Sequence, residues 1–270
     1  MADTCTDIES IEVRLAENED EIEASQRLRY KVFYEEYGAI PTEDMARKKR
    51  DIDEYDAITD HLIVIDHDLP EGPDRLVGTY RLLRREIADK YGRFYTSGEY
   101  DIAPLLNSDT SLLELGRSCV LPPYRTRPVL QKLWGGIVHY VVDHNIELMF
   151  GCASLHGTNI YEHAQELAYL YHYHLASDDL RPKALPGRYV DMNLCAKEDI
   201  DPREVVRRLP PLVKGYLRLG ASIGDGAVVD EQFNTTDVCI VLPTDHLSEK
   251  YTKHYERITK KIIPLKSGTR

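Results

Sequence analysis

The segment LLELGRSCVLPPYRTRP, residues 112–128, sets Glu114 and Arg117 three residues apart in an otherwise apolar run. Strand side chains alternate between faces, so an unbroken strand turns Leu113, Leu115 and Arg117 one way and Leu112, Glu114, Gly116 and Ser118 the other. One carboxylate then stands on a face of mostly small residues. It is suited either to accept a proton from a substrate or to hold the sheet through an ion pair with Arg117 or Arg81. The run DIDEYD, residues 51–56, contributes Asp53 and Asp56, which suit a cationic ligand and also suit an ordinary acidic loop. Arg81 and Arg117 can pair with these acids or grip a substrate carboxylate in a two-pronged contact.

Other reactive types are weaker candidates. Cys119 could be a nucleophile with His156 as its base, but a lone cysteine in a strand is more often a small buried hydrophobe. His172 and His174 are two apart on an expected helix and point to different faces, so no metal site is expected. GASIGDG, residues 220–226, lacks the Lys-Ser/Thr of a phosphate loop and is expected to be a turn between strands.

The elements that must position these groups follow from periodicity and punctuation. IEVRLA is a short strand, and Asn18 or Asp20 caps a helix that Gly38 stops. HLIVID and RLVGTYRLLR are strands joined by the turn-rich HDLPEGPD, forming an antiparallel hairpin. Pro122 and Pro123 end the strand that carries Glu114. In RPVLQKLWGGIVHYVVDHN, Val129, Leu133, Ile137, Tyr140 and Val141 form one helical stripe, with Pro128 suited to the first turn. ELMFGCASL is a fully buried strand. TNIYEHAQELAYLYHYHLA is a helix capped by Thr158 or Asn159, and YVDMNLC a further strand. A helix over 201–220 is broken at Pro210–Pro211, and strand character closes the chain at VCIVLP. The order predicts one mixed α/β domain, with a core over 11–200 and a helix-and-strand addition over 201–263 packed on it.

Composition narrows the function classes. A chain of 270 residues with a net charge of −12 is globular, and its acidity argues against broad nucleic-acid binding. Five scattered cysteines without a CxxC pair suggest a reducing cytoplasm, and no apolar stretch is long enough for a membrane helix. The basic clusters ARKKR, YRTRP and RPKALPGR are either docking points for an acidic partner or solvated loop charge.

The element order resembles the GNAT acyltransferase fold. LRYKVF with Arg29 and Phe33, DEYD with Asp53 and Asp56, VGTYRLL with Arg81, and ELGR with Glu114 and Arg117 resemble the pattern of N-acyl homoserine lactone synthases. ELGRSCV, LWGGIVHYV, FGCASLHGT and LPPLVKGYLRLGASIGDGAVVDEQFNTTDV are similar to the bacterial ornithine N-acyltransferases, a likeness extending over residues 11–260.

The resemblance implies transfer of a long, commonly 3-hydroxylated acyl group from acyl carrier protein to the α-amine of ornithine. It implies no cofactor of the protein's own, the phosphopantetheine arriving on the carrier. Glu114 and Arg117 would be catalytic, and Arg29, Phe33, Asp53, Asp56 and Arg81 would bind substrate. A backbone amide near Val120 or Leu121 would serve the oxyanion, and Arg125 and Arg127 the donor's phosphate. YRTRPVLQ lacks the glycines of a coenzyme A pyrophosphate loop, which favours a carrier-protein donor. VCIVLP and the other apolar strands are candidate walls for the acyl chain. The product would be amphiphilic, so the expected location is cytoplasmic with transient contact at the inner face of the membrane. The alternatives are an N-acyl amino acid or homoserine lactone synthase using another amine, and a non-catalytic module holding acyl carrier protein or lipid.

Overall fold

The structure, a computed structural model, describes residues 8–107 and 109–246. In chain order its strands are β1 (Ile11–Leu15), β2 (Asp60–Asp66), β3 (Leu76–Arg84), β4 (Tyr100–Asp101), β5 (Leu112–Val120), β6 (Leu148–His156), β7 (Lys183–Ala184), β8 (Tyr189–Val190), β9 (Ser222–Ile223), β10 (Ala227–Asp230) and β11 (Thr235–Pro243). The helices are α1 (Glu19–Tyr30), α2 (Glu43–Lys48), α3 (Arg85–Tyr91), α4 (Ala103–Leu106), α5 (Arg127–Asp143), α6 (Ala164–His174), α7 (Pro202–Arg208) and α8 (Pro211–Arg218).

The main sheet runs β1-β2-β3-β5-β6-β11-β10-β8, with β9 also pairing β11. Its apolar alternation sorts into two faces. Tyr80, Leu82, Leu113 and Leu115 pack with Leu133 and Ile137 of α5. Leu83, Leu112 and Phe150 pack with Ala88 of α3 and with Phe94 and Tyr100 on the other face. The stripe expected on α5 is buried throughout.

Asn18 caps α1, its side chain accepting from the amide of Glu21. The helix expected up to Gly38 does not stay α-helical, because residues 31–36 widen into a π turn. Neither Thr158 nor Asn159 caps α6: Asn159 accepts from the amide of Tyr161 in a turn, and the helix begins only at Ala164. A side chain that satisfies the backbone locally in this way competes with helix initiation. The strand expected over 189–195 is reduced to the β8 pair, while the break at Pro210–Pro211 separates α7 from α8.

The C-terminal segment is integral to the sheet. β11 pairs β6 antiparallel over nine residues, Thr235 with His156 through Pro243 with Leu148. Val238, Ile240, Val241 and Leu242 of VCIVLP are fully buried core, not the wall of a cavity. Residues 247–263 of the expected addition lie outside the described residues.

Candidate active site

β5 and β6 are parallel neighbours for only three residues, Leu112–Glu114 beside Leu148–Phe150, and then part. Gly151 stands at the fork: a Cβ there would lie 2.2 Å from the carbonyl oxygen of Leu115, and its φ is +153°. Beyond the fork opens a cavity of about 330 Å3, lined along β5 by Glu114 to Val120 and along β6 by Cys152 to Ser154 and His156. Leu130, Leu133 and Trp134 of α5 and Leu212 and Tyr216 of α8 add apolar wall. The Trp134 and Tyr216 rings meet edge to face at 5.4 Å, and the Tyr216 hydroxyl bonds that of Tyr80 at 2.9 Å. Tyr95, Thr96, Asp230, Phe233, Thr235 and Asp237 supply a more polar part.

The alternation expected along β5 fails at Arg117. Gly116 pairs Arg81 and Cys119 pairs Thr79, so Arg117 and Ser118 together oppose Tyr80 in a β-bulge, with Arg117 at φ +51°. The extra residue turns Arg117 away from the face of Leu113 and Leu115. Its guanidinium reaches Asp51 and Asp53, each at 3.1 Å, and lies over the Tyr95 and Phe233 rings.

Arg117 is one member of a balanced network. Arg29, with no exposed surface, donates to Asp51 and Asp56 at 2.8 Å. Arg81 pairs with Asp53 and Asp56, and the Tyr34 hydroxyl donates to Asp51 at 2.9 Å. Burial alone would raise the carboxyl of Asp53, but Arg81 and then Arg117 outweigh it and bring it down to about 2. Three guanidiniums thus meet three carboxylates. This corrects the expectation that Asp53 and Asp56 await a cationic ligand, because their charge is already met. Arg29, Asp53 and Asp56 stand behind the cavity wall; Phe33, Arg81 and Arg117 line it, and Phe33 meets Phe233 edge to face. Asp51, the central acid, was not singled out in the sequence, where it is one of several acids in DIDEYD.

Glu114 pairs with neither arginine. Its two carboxylate oxygens accept the backbone amides of Tyr95 at 2.9 Å and Thr96 at 2.6 Å. Burial holds its pKa above the usual carboxylate range against these bonds. The Thr96 hydroxyl also bonds to this carboxylate, which leaves it one further acceptor position, and the residue borders the cavity.

The fold and the domain match agree. An Acetyltransferase (GNAT) domain matches residues 28–135. The chain is 49% identical over 251 residues to the L-ornithine N(alpha)-acyltransferase of Brucella abortus (strain 2308), covering 92% of this chain and 89% of that one. It is 46% identical over 251 residues to the L-ornithine N(alpha)-acyltransferase of Rhizobium meliloti (strain 1021), covering 92% and 85%. The chain belongs to the L-ornithine N(alpha)-acyltransferase family. Among solved structures, a CoA-dependent acyl-homoserine lactone synthase with MTA aligns at a TM-score of 0.49 and 16% identity, over 97% of this chain and 94% of that one.

In this acyltransferase several expected donor-side groups are committed elsewhere. The amide of Leu121 donates to the carbonyl of Val77 at 2.9 Å and Val120 is in register with Gly78, so the bulge falls at Arg117–Ser118 instead. Arg125 lines the cavity but is paired with Glu36 at 2.6 Å and lies over the Tyr37 ring. Arg127 is exposed at the start of α5 and does not line the cavity. Cys119 is buried, and burial pushes its thiol up to about 12, which disfavours the thiolate that a nucleophile requires.

The acyltransferase also carries acids that the sequence reading passed over. Asp230 and Asp237 line the cavity and Glu99 stands beside them, all three buried. Burial, and after it the charge of Glu99, pushes the carboxyl of Asp237 up to about 7. Asp237 had the same signal as Glu114, an acid set in an apolar strand, in TTDVCIVLP. Glu99, in TSGEYD, had none.

Proposed function

We propose that this acyltransferase moves a long-chain, 3-hydroxylated fatty acyl group from the phosphopantetheine thioester of acyl carrier protein to the α-amine of L-ornithine, giving lyso-ornithine lipid. The observation that carries the reading is the cavity at the β5/β6 fork, which joins an apolar wall from α5 and α8 to a polar, acid-bearing part. The names of the relatives supply the acceptor. The apolar wall suits an acyl chain, and the exposed Arg127 at the head of α5 suits the single phosphate of a carrier arm or an acidic carrier surface.

The reaction needs a neutral amine, whose reference pKa is about 8 in peptides. Glu114 is the proton acceptor in this reading, oriented by the Tyr95 and Thr96 amides and bordering the cavity. The amine nitrogen attacks the thioester carbonyl, a C–N bond forms, and the C–S bond breaks with release of the carrier thiol. The amine proton goes first to Glu114 and then to the departing sulfur. A backbone amide at the Arg117–Ser118 bulge is the candidate donor to the oxyanion. Arg117, bound to two aspartates, positions this segment. The product would be amphiphilic and would leave by transient contact with a membrane surface; among the described residues no helix is long and apolar enough to cross a membrane.

The test is mass spectrometry of products from purified protein given 3-hydroxyacyl carrier protein, or the matching acyl-CoA, with an equimolar mixture of amino acids. A single α-N-acyl-ornithine formed faster from the carrier is expected. Another acyl-amine would overturn the acceptor, equal rates with coenzyme A the donor, and no product from either donor the whole reading.

A further inference from the structure

The aspartates expected to meet a cationic side chain are neutralised by Arg29, Arg81 and Arg117, yet the cavity still has an acidic part. Asp237 lies on β11 on the same face as Thr235 and Cys239, while Val238 and Ile240 turn to the α5 side. Asp230 comes from β10, and Glu99 from the turn before β4. One carboxylate oxygen of each lies within 4.8 Å of the others. Three carboxylates so close are electrostatically incomplete, since a buried charge is stable only when paired.

The available partners do not complete them. Asp230 accepts the amide of Phe233 at 3.0 Å, and Glu99 takes the Cys152 thiol at 3.2 Å. The one guanidinium within ion-pair distance among the described residues, Arg188, is 3.6 Å from Glu99 and 38% exposed, while Arg117 acts on Glu99 from farther away and is already bound to Asp51 and Asp53. Asp237 Oδ1 and Thr235 Oγ1 are both buried without a well-aligned hydrogen bond, and only the neutral hydroxyls of Ser154 and Thr235 lie close enough to Asp237 to favour its charged form. Asp237 and Thr235 are each 6% exposed and both line the cavity. A buried carboxylate met only by neutral hydroxyls, beside two further acids, describes a receptor for a group with several N–H donors and a positive charge.

We propose that Asp237, with Asp230, Glu99 and Thr235, binds the side-chain ammonium of the acceptor amino acid, and that this contact selects a basic acceptor over a neutral one. The inference rests on the reading that an amino acid is acylated on its α-amine in this cavity. An ammonium fits the unmet acceptors with three donors. A bare divalent cation would demand six or more oxygens, and two of these carboxylates already use an oxygen on protein donors. The ammonium would also offset the burial and mutual repulsion that hold Asp237 and Glu99 above the ordinary carboxylate range.

The test compares ornithine with norvaline, which has the same three-carbon side chain without the amine, using the full-length wild type, Asp237→Asn and Asp230→Asn. Wild type should prefer ornithine by at least about a hundred-fold in kcat/KM. Asp237→Asn should raise KM for ornithine about ten- to hundred-fold, with kcat changed far less, and erase most of the preference over norvaline. Asp230→Asn should act in the same direction, and calorimetric titration with ornithine alone should show the same loss of affinity. Unchanged KM and preference in folded variants would overturn the proposal. An equal fall in kcat with both amino acids would also overturn it, by making Asp237 a proton acceptor. Mg2+ or Ca2+ binding that Asp237→Asn abolishes while ornithine affinity stays unchanged would replace the ammonium receptor by a metal site. Preference for lysine would keep the receptor and reject ornithine as acceptor, whereas preference for a neutral amino acid would reject both.

Discussion

Gly151 faces the carbonyl oxygen of Leu115 across the fork between β5 and β6, so closely that a Cβ would lie 2.2 Å from it. The two strands pair up to Glu114 and Phe150 and part immediately afterwards. Gly151→Ala should therefore force backbone to move at the mouth of the cavity and cost about 2–4 kcal/mol in urea unfolding, combining overpacking with strain at φ +153°. Gly116→Ala, on the facing strand with nothing within 4 Å of its added Cβ, should cost less than about 1 kcal/mol.

Glu114→Gln should lower kcat about 10²- to 10⁴-fold if Glu114 accepts the amine proton. It should also weaken the fold, because both oxygens accept backbone amides and a side-chain NH2 would confront one of them. The expected cost is about 1–3 kcal/mol for the unsatisfied donor. Stability and the pH–rate profile are measured together. A profile identical to wild type would leave Glu114 with only its structural part.

Two aspartates should give opposite dependence of stability on pH. Asp53 falls to about 2 from its ordinary 3.8, so the folded state binds the proton less tightly than the unfolded chain. Its contribution, about 2 kcal/mol, is present above the unfolded value and lost as pH falls through 2. Asp237 rises to about 7, so between about 4 and 7 the folded state holds the extra proton and stability falls as pH rises. Asp237→Asn should accordingly be more stable than wild type at pH 8, with the gap closing below pH 4. Asp53→Asn should be less stable than wild type at pH 7, with the gap closing near pH 2. Urea titrations of each variant against wild type across this range read both signs.

Cys119→Ala should retain turnover within a few-fold, and Cys119 should be among the slowest thiols to react with a disulfide reagent in the folded protein. Its thiol is buried and pushed up to about 12. Initial-rate patterns should show both substrates bound before product release, without the parallel lines of an acyl-enzyme route.

Local pattern made much of the scaffold legible. The five-residue stripe on α5, the hairpin of β2 and β3 and the proline break between α7 and α8 depend on periodicity and on residues that restrict their own backbone. Arg81, Glu114 and Arg117 were singled out by type and spacing and Phe33 by the family resemblance, and all four border the cavity. The alternation that assigned faces on β5 held to Leu115 and failed at Arg117, because one inserted residue reverses every later side chain.

The sequence by itself determined which segments could be strands or helices, and it offered the acids of DIDEYD and the arginines of VGTYRLL and ELGR either as partners of one another or as contacts for a substrate. Only the tertiary structure decided how those charges were shared: Arg29, Arg81 and Arg117 come from three elements to neutralise Asp51, Asp53 and Asp56. It likewise decided that Glu99, more than a hundred residues away along the chain, would stand beside Asp230 and Asp237 with only the half-exposed Arg188 near the three. The physical reason is that the availability of a charge to a ligand depends on its neighbours in space, and chain order does not specify those neighbours before the sheet closes.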